Sequence, residues 1–139
     1  MQRRTLLSAL ALLGLAAPAA AQEERGRRVV YHLADADKVA FALANMSNHH
    51  AGGPAGLQLS AVIHGPALAA FRVQTDNEAL KREFAARLAA GDVLYACANT
   101  LAAHGWTLAD VLPGFALADK GGVVKLADLQ AQGWIYLRP

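Results

Sequence analysis

The chain contains a single cysteine, Cys97, and that scarcity excludes several chemistries at once. An internal disulfide framework and a cysteine-rich zinc site are both ruled out. An intramolecular dithiol–disulfide cycle of the thioredoxin kind is ruled out too, because it needs a second thiol. Charge is also sparse. Only 17% of the 139 residues are charged, and 13 basic against 11 acidic residues leave a net charge of +2. A balance so near neutrality does not describe a nucleic-acid binder. With 55% hydrophobic residues the chain is not disordered and is expected to bury a core. Phosphate-loop chemistry has no support, because Gly52-Gly53-Pro54-Ala55-Gly56 follows a helical segment instead of opening one. No G-x-S-x-G nucleophile turn occurs. The sequence shows no internal repeat, and its length suits one domain.

The longest apolar stretch, Leu6 to Ala17, is shorter than the roughly 20 residues that span a bilayer. It follows Arg3 and Arg4 and precedes Ala19-Ala20-Ala21, the charged, apolar and small-residue regions of a secretory signal. The expectation is a signal peptide over residues 1–21, a flexible lead over 22–27 and one domain over 28–139. Such a protein is periplasmic or secreted, with no stable membrane anchor after cleavage. Arg3-Arg4-Thr5-Leu6-Leu7 permits a twin-arginine signal as well as an ordinary one. The mature chain, residues 22–139, keeps 118 residues with 11 basic and 11 acidic side chains. Small domains bury a lower fraction of their surface, which favours self-association, and the nearly balanced charge does not oppose it.

Within that domain, β-prone and amphipathic segments alternate. Arg28 to Leu33 reads as a first strand. Asp35 is placed to cap a helix over about 37–48, where Val39, Leu43 and Met46 recur at helical spacing. Leu57 to His64 reads as a second strand, and Ala67 to Phe71 as one helical turn. Asp76 or Asn77 caps the clearest helix, which has Leu80, Phe84 and Leu88 on one face and Lys81, Arg82 and Arg87 free for solvent. Asp92 to Cys97 is a third strand, and 99–104 a helix ended by Gly105. Thr107 caps a short helix over 108–112, and 115–117 is a fourth strand. A last helix opens at Gly121 or Gly122, and Trp134 to Leu137 closes the chain. This order predicts an α/β fold: a mostly parallel sheet of about five strands, helices on both faces and right-handed crossovers.

Cys97 then falls at a strand end just before a helix. In an open parallel sheet that edge is where ligands bind, and a helix N-terminus favours the thiolate. A thiolate can attack or carry sulfane sulfur as a persulfide. Asn99 and Thr100 are placed to cap the helix or to donate to a sulfur anion. The alternative is a small, inert residue filling the core. His64 ends the second strand on the same edge, where it either orients a substrate, helps ionise the thiol or bonds a turn. His49 and His50 are adjacent and cannot share one helix face, so a metal site would need one of them to meet His64 or Cys97. No ligand pair has metal spacing, and neither a metal nor a cofactor is expected. His32 and His104 have no supporting motif. Trp106 and Trp134 read as core or interface anchors.

Three segments carry a family resemblance. Cys97-Ala98-Asn99-Thr100-Leu101 resembles the C-x-N-T-hydrophobic segment of DsrE/DsrF-like proteins. Val62-Ile63-His64-Gly65-Pro66 is similar to that family's strand ending in a His-Gly turn. Asp128 to Pro139 resembles its closing helix and aromatic strand with a terminal Arg-Pro. The resemblance covers about residues 28–139 with the landmarks in order. It implies a compact α/β sandwich, homotrimers or hexamers, and sulfur handling through a persulfide on Cys97, with Asn99, Thr100 and His64 around it. An export signal sets this chain apart from the cytoplasmic sulfur-relay members, and no donor or acceptor follows from the sequence. Two other readings stay open: a non-catalytic oligomeric binding module with a structural cysteine, and a ligand- or metal-binding protein built on the histidines.

Overall fold

The computed structural model describes residues 27–139; the signal region 1–21 and most of the lead 22–27 lie outside the described residues. Five strands form one sheet: β1 (Arg28–Leu33), β2 (Gln58–Ile63), β3 (Val93–Cys97), β4 (Ala116–Ala118) and β5 (Ile135–Leu137). Between them lie helices α1 (Val39–Gly52), α2 (Pro66–Ala69), α3 (Glu78–Ala89), α4 (Ala98–Ala103) and α5 (Gly122–Ala131), with short 3-10 turns at Ala36–Lys38 and Leu108–Asp110. The strand order is β4-β3-β2-β1-β5, and every pairing is parallel. The fold class is therefore α/β, as the alternation of segments predicts.

Two-residue periodicity sorts the strand side chains onto two faces. Val29, Tyr31, Leu33, Leu59, Ala61, Ile63, Leu94 and Ala96 point one way, into a core closed by Leu43 and Met46 of α1, Leu68 of α2, Phe84 of α3 and Leu101 of α4. The opposite face is smaller. There Val30 and Val62 pack against Leu126 and Leu129 of α5, with Tyr95 and Trp134 at the margin. Topology explains the asymmetry. The chain steps outward from β1 to β4, then returns past β1 to reach β5. With right-handed crossovers, reversing the direction of travel moves the connecting helix to the other face. Hence, among the described residues, α1 to α4 share one face and α5 is the helix that covers the other.

Expected as a short helix over 108–112, that segment is only a 3-10 turn at Leu108–Asp110 with Val111 extended, and two charged side chains also depart from the sequence expectations. Asp35 occupies the position before the first 3-10 turn but makes no side-chain cap; its carboxylate accepts from Arg138 at 2.9 Å. Arg87 is not on the solvent side. Gly91, at φ +86°, reverses the chain after α3 so tightly that Asp92 N donates to Arg87 O at 3.0 Å. The Asp92 carboxylate then lies under the last turn, 3.6 Å from the Arg87 guanidinium and 2.7 Å from His50 Nε2. Both members of the Arg87–Asp92 pair are buried, and Arg87 Nε and Nη1 and Asp92 Oδ2 have no hydrogen-bond partner among the described residues. The pair satisfies its own charge but little else. Removing one partner strands the other charge, so Asp92→Ala is expected to lower the unfolding free energy by about 3 kcal/mol. Replacing both residues, Arg87→Met with Asp92→Leu, is expected to recover most of that loss. Urea denaturation checks this; a loss below about 1 kcal/mol for the single variant contradicts the reading.

Candidate functional site

Cys97 sits where two neighbouring connections part. From β3 the chain turns into α4 on one face, and from the adjacent β4 it turns into α5 on the other. Adjacent strands whose connections diverge leave a crevice at their C-terminal ends, the place where open α/β sheets bind ligands. A cleft of about 610 Å³ lies there, lined by His64, Gly65, Pro66, Ala69, Cys97, Asn99, Thr100, Ala103, His104, Lys120, Gly121, Gly122, Val123 and Val124. All four residues named from the sequence, Cys97, Asn99, Thr100 and His64, border it.

Cys97 is 4% exposed at the floor of this cleft. Gly122 N, the first amide of α5, donates to Cys97 Sγ at 3.1 Å. That approach depends on having no side chain at two consecutive positions. Gly121 caps α5 with φ +100°, and a Cβ there would stand 2.6 Å from Asn99 Nδ2. A Cβ on Gly122 would meet His64 Cβ at 3.2 Å and Val62 Cγ1 at 3.3 Å. A side chain at Gly121 would be strained at its positive φ and displace the Asn99 amide, and one at Gly122 would crowd His64 and Val62. Thr100 supplies a second contact from α4. Its Oγ1 accepts from Gly65 N at 2.9 Å, which leaves the hydroxyl proton for the sulfur.

These groups set the ionisation of the thiol. Burial is the largest single influence and works against the charged form. The Thr100 hydroxyl and the amides of Thr100, Gly122 and Asn99 act in the other direction and together prevail. Cys97 is thus held below the ordinary thiol range with no cationic side chain among the described residues contributing. Sγ closes no cap bond within α4 itself, so the α4 groups act on it as oriented dipoles. Asn99 contributes through its backbone amide, while its side chain rests on Gly121.

The chain is similar to a solved structure of a protein of unknown function, MTH1491 from Methanobacterium thermoautotrophicum. The two are 26% identical, with a TM-score of 0.73, and the match covers 81% of this chain and 99% of that one. No protein-family model and no curated protein matches the chain.

The histidines divide between the two ends of the sheet. His50 bonds Asp92 and His49 Nδ1 bonds Tyr31 OH at 2.9 Å, both beside the strand N-termini. Neither is brought to His64 or Cys97, which lie at the other end. His64 instead meets His32, a residue with no motif to recommend it. The rings are nearly parallel, 4.8 Å apart, and their Nε2 atoms face each other at 2.5 Å. His32 Nδ1 in turn contacts Tyr136 OH at 2.6 Å. Burial, followed by the nearby Arg138 charge, depresses His64, so it is neutral at pH 7 and not a cation that ionises the thiol. His104 lines the far wall, stacked on Trp106, whose ring also carries the Arg72 guanidinium at 4.1 Å.

Sequence reasoning missed His32, Tyr136 and the paired glycines as site residues. One usable signal was present: Gly121-Gly122 lies just after the short strand ending at Ala118 and opens a helix, a place where backbone approaches a ligand closely. The geometry has a direct consequence for reactivity. Alkylation rate against pH is expected to show a midpoint below the ~8.5 of a free thiol. Thr100→Val, which keeps the shape and removes the hydroxyl, is expected to raise that midpoint by about one pH unit, while Thr100→Ser leaves it near wild type. Gly122→Ala is expected to raise it as well. A midpoint unmoved in both Thr100→Val and Gly122→Ala contradicts the assignment.

Proposed function

We propose that this chain is an exported DsrE/DsrF-like protein that binds or transfers sulfane sulfur as a persulfide on Cys97. The observation that carries this reading is the Gly122 amide donating to Cys97 Sγ on the floor of an open cleft. A thiolate favoured by hydrogen bonds, with no second cysteine to form a disulfide, is suited to accepting a single sulfur atom. The lining supports an anionic guest. Among the described residues it carries the Lys120 ammonium, the N–H donors of the His64 and His104 imidazoles and no carboxylate. Val123, Val124, Ala69 and Ala103 supply the apolar wall that a polarisable sulfur prefers.

Mechanistically, the Cys97 thiolate attacks the outer sulfur of a hydropersulfide donor. The new S–S bond forms on Cys97, and the donor thiol departs with the electron pair of the bond it loses. An acceptor thiolate then attacks the outer sulfur of the Cys97 persulfide and releases Cys97. Gly122 N–H, the Thr100 hydroxyl and the Asn99 amide stabilise the sulfur anion at each stage. Self-association as a trimer or hexamer belongs to the same reading. Val123, Ile135 and Leu137 are exposed, and a partner copy would bury them.

The near-complete burial of Cys97 favours a second reading, a binding module in which the cysteine only packs. Mass spectrometry of the intact protein after polysulfide treatment separates the two. The carrier gains the mass of added sulfur, which is lost on reduction and absent in Cys97→Ser. A thiol that takes up neither sulfur nor an alkylating reagent in the folded protein contradicts the proposal. Sedimentation at micromolar concentration is expected to show an assembly larger than one chain, and a stable monomer counts against the oligomer.

A further inference from the structure

We infer that Tyr136, His32 and His64 form a proton relay between solvent and the Cys97 cleft. This rests on the persulfide reading for its purpose, but its geometry stands apart from it. The three side chains come from β5, β1 and the residue after β2, which are neighbours in the sheet. Tyr136 is 38% exposed at one end, and His64 lines the cleft at the other. His32 lies between, with Nδ1 on the Tyr136 hydroxyl and Nε2 on His64 Nε2. Each of these contacts is short enough to hold one shared proton and no more.

That count leaves two arrangements. In the first, Tyr136 O–H donates to His32 Nδ1, His32 Nε2–H donates to His64 Nε2, and His64 carries its own proton on Nδ1. In the second, every proton has moved along by one place: His64 Nε2–H donates to His32, His32 Nδ1–H donates to Tyr136, and His64 Nδ1 is bare. Nδ1 is the ring nitrogen of His64 with no partner among the described residues, so the cleft end of the relay is open. The charged groups facing the pair are Arg138, which disfavours imidazolium at both rings, and Asp35, which opposes it and is itself tied to Arg138. Burial is the largest influence at each histidine, and Arg138 acts in the same direction. Both rings are therefore neutral at pH 7, the state in which the two arrangements interconvert without a net charge.

The two half-reactions of sulfur transfer use the two arrangements in turn. During loading, the donor thiol leaves as R–S⁻ and needs a proton. His64 Nδ1–H supplies it, His32 refills His64, Tyr136 refills His32, and solvent refills Tyr136. During unloading, the acceptor R′–SH must lose a proton before attacking. Bare His64 Nδ1 takes it, and the chain passes one proton back to solvent. One complete transfer returns the relay to its starting arrangement, with no net proton or electron consumed. His64 is the catalytic residue of this scheme; His32 and Tyr136 act through it as positioning residues.

The test pairs ring-nitrogen NMR of the full mature chain with two reactions of Cys97. Loading from cysteine hydropersulfide needs a proton at the leaving sulfur, whereas alkylation by iodoacetamide releases iodide and needs none. His32→Gln and Tyr136→Phe are each expected to slow loading by about tenfold or more and to reduce its solvent deuterium isotope effect, while the alkylation rate stays at the wild-type value. In the NMR spectra, Tyr136→Phe is expected to shift the tautomer balance of His64, a ring that Tyr136 does not touch. Melting temperatures confirm that the variants fold; if His32→Gln does not, Tyr136→Phe alone decides. Unchanged loading together with an unmoved His64 tautomer overturns the relay, and so does equal slowing of loading and alkylation. If wild-type Cys97 takes up no sulfur, the persulfide reading fails, and the His64 tautomer response alone decides whether the proton path exists.

Discussion

One close approach organises the functional end of the molecule: the first amide of α5 against the sulfur of Cys97. It couples features that are far apart in the sequence. The reversal of chain direction after β4 sends α5 across the otherwise bare face of the sheet, and its N-terminus passes the end of β3. Gly121 and Gly122 let it pass within hydrogen-bonding distance, because His64, Val62 and Asn99 already occupy the space a side chain would need. Leu126 and Leu129, packed on Val30 and Val62, then fix the helix so that its first amide points at the thiol. The apolar packing of α5 therefore determines the electrostatics at Cys97.

Two forces oppose each other at that sulfur. Desolvation favours the neutral thiol and is the larger single effect, yet the Gly122 hydrogen bond and the oriented groups of Thr100 and Asn99 outweigh it together. A site built this way has a different character from one built on a cationic partner. Among the described residues no imidazolium or ammonium acts on the sulfur, so none is lost on titration. The stabilisation comes from backbone amides and one hydroxyl, all fixed by the fold, and persists wherever the fold persists. The histidines are free for a different task, and their short contacts with each other and with Tyr136 suit them to moving protons instead of holding charge.

Much of the fold was legible in the sequence because its signals are local. The alternation of β-prone runs such as Val29-Val30-Tyr31 with helical spacing such as Leu80-Phe84-Leu88 specifies a parallel sheet with covering helices. Glycines at helix ends mark most boundaries. Cys97, Asn99, Thr100 and His64 were accessible as a group because strand C-termini in such sheets share one edge. Nonlocal arrangements were not accessible. Arg87 lies on a helix face that reads as solvent-exposed, and only the turn at Gly91, folding Asp92 back beneath it, explains its burial. His32 is an isolated polar residue at the end of an apolar strand, and its significance depends on which strands flank β1. Sequence alone does not show that β5 returns to that side. The role of the paired glycines likewise depends on what lies opposite them.

The central claim is that Cys97 carries a sulfur atom in the cleft between α4 and α5. A crystal structure of the protein after polysulfide treatment tests it most directly. The account expects one additional sulfur bonded to Cys97 Sγ, directed into the cleft and within hydrogen-bonding reach of the Gly122 amide or the Thr100 hydroxyl. An unmodified Cys97, under conditions that fully load a free thiol in the same solution, would contradict it.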